Sequence, residues 1–204
     1  MSFTTYAELQ TSIAGYLARS DLTTEITDFI RLAETRLRRD LRIRQMLTSA
    51  TLTCTPAVAT VAIPSGFLQV SDFVVSGNPV QPLSYESPAL FSRNSRTMDA
   101  GKPKTYTVLA STFLLAPIPD SAITLTLIYS AAPDFLSVTN TSNTFLTVCP
   151  DLLLYASLLE AEPYLMNDAR INTWGTMFDR ALNGLTTSDE QGQYSGVPLT
   201  IRAT

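Results

Sequence analysis

Residue types that commonly do chemistry are sparse in this 204-residue chain, and their spacing suits few catalytic devices. Histidine is absent. That removes the commonest general base, the Ser–His and Cys–His dyads and the commonest metal ligand. Glu160 and Glu162 come closest to a carboxylate pair, but two positions apart on a helix they point to different faces. Asp189-Glu190 falls in a polar stretch that reads as loop. Both sets read as solvated charges. Hydroxyls are plentiful, yet none sits in a G-x-S-x-G turn, and Ser65-Gly66 and Ser195-Gly196 read as turn residues. Gly101-Lys102-Pro103-Lys104 lacks the first glycine and the helix of a phosphate-binding loop and reads as the start of a strand. Cys54 and Cys149 are far apart, form no metal-type spacing and read as two buried thiols. No catalytic, cofactor-binding or metal-ligating residue is therefore expected, and the chain reads as a non-enzyme.

The concentrated chemistry lies elsewhere. Six of the 14 Lys and Arg side chains, Arg31, Arg36, Arg38, Arg39, Arg42 and Arg44, fall in one helical stretch, Glu25–Arg44. Ile26, Phe29, Ile30, Ala33, Leu37 and Leu41 make its apolar stripe. Arg31–Arg44 sums to +4 once Glu34 and Asp40 are counted, which leaves −8 for the rest of a chain of net charge −4. Three readings fit. The arginines are a solvated face paired within the helix, Asp28 with Arg31 and Glu34 with Arg38, although such exposed pairs contribute only about 0.3–0.5 kcal/mol each. They contact nucleic-acid phosphate, as a binding module using residues 31–44. Or they are a protein interface whose guanidinium forks meet carboxylates of neighbouring subunits. An acidic remainder suits the third reading and argues against a general nucleic-acid binder.

The elements that must carry this face run helices, strands, helices. Thr5 and Glu8 form a capping box, and Tyr6, Leu9, Ile13, Tyr16 and Leu17 give the first helix its inner face. Ser20-Asp21 breaks it, and the second helix is expected from Thr23 or Thr24 to about Arg44, completing a helical hairpin. Strands follow. Thr48–Thr55 and Ala57–Ile63 read as a hairpin, then come Phe67–Ser76, Val80–Tyr85, a short helix from Pro88 to about Ser92 and a polar loop Arg93–Lys102. Lys104–Ala110 and Thr112–Ala116 make a second hairpin. Ser121–Ser130, with Ile123, Leu125, Leu127 and Tyr129 on one face, is the clearest strand. Asp134–Thr144 reads as a loop. A third helix opens at Cys149-Pro150-Asp151, is apolar nearly all round and is expected to kink or end at Pro163. A fourth starts near Asn167 or Asp168 with Ile171, Trp174, Phe178, Leu182 and Leu185 as its stripe, and the chain is expected to be flexible from Thr186.

The fold class is thus α+β: a four-helix bundle from the N- and C-terminal segments with an inserted antiparallel β subdomain. The expected divisions are 1–46 (helical hairpin), 47–147 (β subdomain), 148–188 (helices completing the bundle) and 189–204 (extended tail). Hydrophobic residues make up 45% of the chain, which excludes wholesale disorder. No apolar run is long enough to span a membrane, and the N-terminus lacks the pattern of a signal peptide, so synthesis in the cytoplasm and no membrane partner are expected. A carbohydrate-binding or hydrolytic β domain lacks an aromatic cluster or acid pair. In the tail, Val197, Leu199 and Ile201 alternate with Pro198, Thr200 and Arg202, a strand pattern with no sheet of its own. Tyr194–Arg202 is expected to add to another chain's sheet edge or lodge in a groove.

Taken in order, these segments resemble one family. Tyr6-Ala7-Glu8-Leu9 followed by Asp28-Phe29-Ile30-Arg31-Leu32-Ala33-Glu34-Thr35-Arg36-Leu37-Arg38-Arg39-Asp40-Leu41-Arg42 resembles the N-terminal helical hairpin of tailed-bacteriophage head-to-tail adaptor (connector) proteins. Ile63-Pro64-Ser65-Gly66-Phe67-Leu68 resembles that family's "LPxDFL" segment, with Ser65 where an acidic residue is common. Gly101-Lys102-Pro103-Lys104-Thr105-Tyr106 resembles its "GxPxxY" turn. Leu115–Asp120, Leu127–Ser130 and Pro150–Leu158 resemble its next strands and third helix, and Ser195-Gly196-Val197-Pro198-Leu199 its C-terminal tail. The resemblance implies a structural virion protein at the head–tail junction, a homo-oligomeric ring, commonly a dodecamer, that joins portal to tail and lines the channel for genomic DNA without binding it specifically. Its implied partners are the portal protein, tail or nozzle proteins and other copies of itself. The six arginines would then form a subunit or portal interface, and Tyr194, Val197, Pro198, Leu199, Ile201 and Arg202 a portal-docking tail.

Overall fold

A computed structural model describes residues 3–193 except 78, 97 and 167. The protein is α+β, with six α-helices and eight strands among the described residues. It divides into two compact units, one built from the chain up to Met46 and from Pro133 onward, the other from Leu47–Ala132.

In the first unit, α1 (Tyr6–Leu17) opens on the expected capping box, with the Thr5 side chain accepting from the Glu8 N–H and Glu8 accepting from the Thr5 N–H. Tyr6, Leu9, Ile13 and Leu17 are buried, whereas Tyr16 is half exposed and meets Trp174 edge to face with ring centroids 5.9 Å apart. Helix α2 (Thr23–Asp40) buries Ile26, Phe29, Ile30, Ala33 and Leu37. It stops four residues before the expected end. Leu41 turns extended, with φ −93° and ψ 133°, and both Leu41 and Ile43 are buried. Two apolar residues two apart reach the same side only on extended backbone, so burial of that pair outcompetes another helical turn. A 3-10 turn, Arg44–Met46, follows.

Residues 133–143 lead into a short helix that the sequence did not announce, α4 (Thr144–Val148; α3, Pro88–Ser95, belongs to the strand unit), capped by the Asn143 side chain on the Leu146 N–H at 3.0 Å. Helix α5 (Pro150–Leu165) has Pro150 in its first turn and is buried on nearly every face through Leu152, Leu153, Leu154, Ala156, Leu158 and Ala161. It packs on α1, α2, α4 and α6. Pro163 lies in its last turn, and Met166 ends the helix in the left-handed region. Helix α6 (Asp168–Gln193) turns Ile171, Trp174, Phe178, Leu182 and Leu185 inward. It continues past Thr186, where flexible chain was expected.

The second unit is a two-layer sandwich. One sheet has the order β1 (Leu47–Cys54), β8 (Ile123–Ala131), β3 (Phe67–Val75), β4 (Gln81–Pro82). The other has β2 (Thr60–Ala62), β7 (Thr112–Ala116), β6 (Thr105–Leu109), β5 (Ser84–Tyr85). Helix α3 (Pro88–Ser95) packs on β6. The β6–β7 hairpin is as expected, but β1 and β2 do not pair with each other. Ala57 adopts φ +62°, the Val58 N–H bonds the Thr55 carbonyl, and this turn carries the chain from one sheet to the other. The single strand expected at Val80–Tyr85 is likewise divided at buried Leu83, with β4 on β3 and β5 on β6. The β5–β6 pair is parallel, so this unit is not purely antiparallel. Leu125, Leu127 and Tyr129 of β8 face Phe113 and Leu115 of β7, and Phe73 meets Phe113 and Tyr106 with centroids 5.0 and 5.1 Å apart.

Candidate functional site

The six arginines do not form one face. Arg31 and Arg38, seven positions apart on α2, both lie against the Phe135 ring, their guanidinium carbons 3.3 and 3.9 Å from its centroid. Arg36 points to α5 and α6, with Glu160 at 3.6 Å and the Phe178 ring at 4.8 Å. Arg42, beyond the helix end, donates to the carbonyls of Leu41 at 2.6 Å and Arg38 at 3.0 Å and so caps the C-terminus of α2. Arg44 holds Asp189 of α6 through its backbone N–H at 3.0 Å and its Nε at 3.1 Å. Gly192, one turn further along α6, lets that guanidinium lie against the helix backbone, because any Cβ there would collide with it. Arg31, Arg42 and Arg44 keep exposed surface despite these contacts, and Arg39 is the most weakly tied of the six, its side chain 71% exposed and its described partner the adjacent Asp40.

Neither Asp28–Arg31 nor Glu34–Arg38 forms an ion pair among the described residues. Glu34 instead faces inward, 1% exposed. Its carboxylate accepts from the Leu136 N–H at 3.0 Å and the Asn143 Nδ2 at 2.7 Å. Burial raises the Glu34 pKa, and these two donors, with the positive charges of Arg31 and Arg38, oppose the rise. The segment 133–143 is thereby buckled onto α2. Asn143 also donates to the Asp134 carbonyl and Asn140 to the Phe135 carbonyl, while the Tyr6 N–H reaches the Thr141 carbonyl. Burial and the nearby Glu34 and Asp28 charges raise the Tyr6 pKa.

The acidic residues considered for catalysis are likewise committed. Glu160 and Glu162 do lie on different sides of α5, but they are not simply solvated. Glu160 faces Arg36, and Glu162 is fully buried with one oxygen accepting from the Trp174 Nε1 at 2.8 Å. Its other oxygen has no hydrogen-bond partner among the described residues. Asp189-Glu190, expected in a loop, is in α6. Cys54 and Cys149 are buried free thiols, and burial beside Asp151 pushes the Cys149 pKa up to about 12, away from the reactive thiolate. Lys104 leads into β6, and Ser65-Gly66 forms a turn with Gly66 at φ +71°. A cavity of about 420 Å³ beside α5 and α6 is lined by Cys149, Asp151, Tyr155, Met177, Arg180 and Leu185 among others. Among the described residues no three acidic or cysteine side chains are placed to share a metal ion, and no helix is long and apolar enough to cross a membrane. Tyr194, Val197, Pro198, Leu199, Ile201 and Arg202 lie outside the described residues.

Sequence reasoning missed Glu34, Asn143 and Phe135 as a connected group. The available signal was Glu34 itself, which sits between Ile30 and Leu37 on the apolar stripe, where a charged residue needs a partner. Among the described residues these side chains make folding contacts or lie on the surface. No curated protein matches the chain. The family model described as SU10 adaptor protein matches residues 4–202, nearly the whole length. The chain therefore belongs to the SU10 adaptor protein family, a family of bacteriophage head-to-tail adaptors.

Proposed function

We propose that this protein is a non-catalytic ring component of the virion, seated between portal and tail at the capsid vertex. The observation that carries this reading is the family match over residues 4–202. In this proposal the helices α1, α2, α5 and α6 act as a four-helix bundle, and the strand unit is an insertion in the chain between α2 and α4. Copies pack side by side, twelve in the form the family resemblance implies, and DNA passes through the ring without specific contacts. A largely acidic chain supports that last point, because a basic lining would retain DNA by its phosphates. The portal, tail proteins and other copies of the chain are the proposed partners, and the tail from Tyr194 is proposed to dock on a neighbouring polypeptide of the junction.

The geometry sharpens the arginine proposal. Five of the six arginines hold parts of their own chain together, so Arg39 is the centre of the proposed interface, with the exposed edges of Arg31, Arg38 and Arg42 around it. The same geometry disfavours a nucleic-acid-binding module, which needs several free cations on one face. The test is incubation with the matching portal followed by electron microscopy. Added ring density at one end of the portal is expected for the native chain and not for Arg39→Glu, whose circular dichroism should be unchanged. No binding of the native chain at micromolar concentration refutes the proposal.

A further inference from the structure

The strand unit has one sheet edge that is unlike the others. β1 runs for eight residues, Leu47–Cys54, and pairs in unbroken register with β8 on one side only. Among the described residues no strand lies on its other side, and no backbone hydrogen bond outside that ladder involves residues 47–53. Natural edges are usually blunted by short length, a charge, a proline or a bulge. The remaining edges here follow that rule: β4 has two residues including Pro82, β2 has three and β5 has two. β1 follows none of it. Leu-Thr-Ser-Ala-Thr-Leu-Thr-Cys carries no charge and no proline, its register has no bulge, and Leu47, Thr48, Ser49, Thr51 and Thr53 are exposed.

The sequence also carries a strand pattern beyond the described residues. Eleven residues follow Gln193, enough to reach about 35 Å when extended. Val197-Pro198-Leu199-Thr200-Ile201 alternates with period two and contains no charge to oppose β1. The position of the proline matters. A strand added to an edge turns the N–H and C=O of alternate residues toward its partner. If Val197, Leu199 and Ile201 bond to β1, then Pro198 and Thr200 face away, and the missing proline N–H removes no ladder bond. Pro198 would then protect the new edge from further addition. The same register sets Val197, Leu199 and Ile201 on one face, where they can extend the apolar layer of Ala50 and Leu52, which already pack against the core.

We infer that β1 is an acceptor edge for the segment Val197–Ile201 of a second copy of this chain, which adds as a fifth strand to its sheet. The second copy as donor rests on the adaptor reading. A tail of one copy that enters an edge of the next makes a head-to-tail contact, the kind that closes rings.

Hydrogen exchange on the full-length chain, with its own tail disabled by Leu199→Pro, tests acceptance by β1. A synthetic peptide of residues 194–204 at about 1 mM should slow alternate amides within residues 48–53 by about fivefold or more. N-methylation of the peptide at Leu199 should abolish this slowing, and N-methylation at Thr200 should leave it. No slowing, slowing confined to other residues, or equal loss with both methylated peptides overturns the inference. The donor is tested by disulfide trapping of Thr51→Cys with Thr200→Cys, which share the outward face of the sheet in this register, in full-length chains. A cross-linked dimer should form when the two cysteines are carried on different chains. A cross-link that forms only when one chain carries both overturns the second copy as donor. Portal binding is not measured in either experiment, so failure here and failure of the adaptor reading are separable.

Discussion

Replacement of Glu34 tests whether the buckle between α2 and residues 133–143 is a structural joint. The Glu34 carboxylate accepts from the Leu136 N–H at 3.0 Å and the Asn143 Nδ2 at 2.7 Å, both through the same oxygen. Glu34→Ala strands the Leu136 N–H in a buried position, while Asn143 keeps the Asp134 carbonyl at 2.9 Å. A hydrogen bond to a charged acceptor contributes about 1.5–3 kcal/mol, and relief of the buried charge offsets part of that. The expected net loss is about 2–3 kcal/mol, or roughly 4–12 °C in Tm for a chain of this size. Glu34→Gln can keep its carbonyl oxygen where the accepting oxygen lies and retain both donors, so it should be far milder.

The pH dependence separates the two variants further. Burial raises the folded-state pKa of Glu34 above its ordinary value of 4.5. Between those two values the unfolded chain has lost a proton that the folded chain still holds, so the native protein loses stability as pH rises through that window. Glu34→Gln has no such proton. Its stability relative to the native chain should therefore improve from about pH 4 upward, as measured by urea unfolding across pH 4–8. A difference between Glu34→Gln and native that is flat over this range refutes the reasoning, as does a Glu34→Ala variant within 0.5 kcal/mol, about the limit for an uninvolved surface site.

Three other substitutions probe separate joints. Trp174→Phe keeps the ring packing but leaves both oxygens of the buried Glu162 without a donor among the described residues, and should cost about 1–3 kcal/mol by urea unfolding. Gly66→Ala forces a side chain onto φ +71° with its Cβ 3.1 Å from the Ala132 carbonyl oxygen, and should lower stability by about 1–2 kcal/mol. Asp189→Ala frees Arg44 and should speed hydrogen exchange in residues 186–193 about tenfold while leaving α5 unchanged.

Local signals in the sequence were reliable where one residue or one short period settles the structure. The Thr5–Glu8 capping box, Pro150 at the start of α5 and the alternation of β8 each depend on contacts within a few residues or on a single buried face. The misreadings lie where distant partners decide. Helix α6 runs on through polar residues because Asp189 is held by Arg44, 145 positions away, and a stripe of apolar residues does not show that. The split of Val80–Tyr85 depends on Leu83 being buried between strands of two sheets, to which period-two alternation is blind. The pairing of β1 with β8 rather than β2 is likewise invisible locally, since Thr55-Pro56-Ala57 serves as well for a sheet-to-sheet crossing as for a hairpin.

The arginines show how far charge counting can go. Six cations in fourteen residues exceed what solvation or intrahelical pairing requires, and that excess pointed outward to a partner. The fold uses most of it first. Arg38 and Arg39 complement the negative C-terminal end of the α2 dipole, Arg42 caps its carbonyls, and Arg31 and Arg38 stack on an aromatic ring. Guanidinium groups do this while staying partly hydrated, which is why they can be fastened to their own chain and still present an edge to another. A cationic cluster therefore points to a proposed interface first through the members left over after such internal use. That subtraction leaves Arg39 on the helical unit, just as accounting for backbone partners leaves β1 on the strand unit.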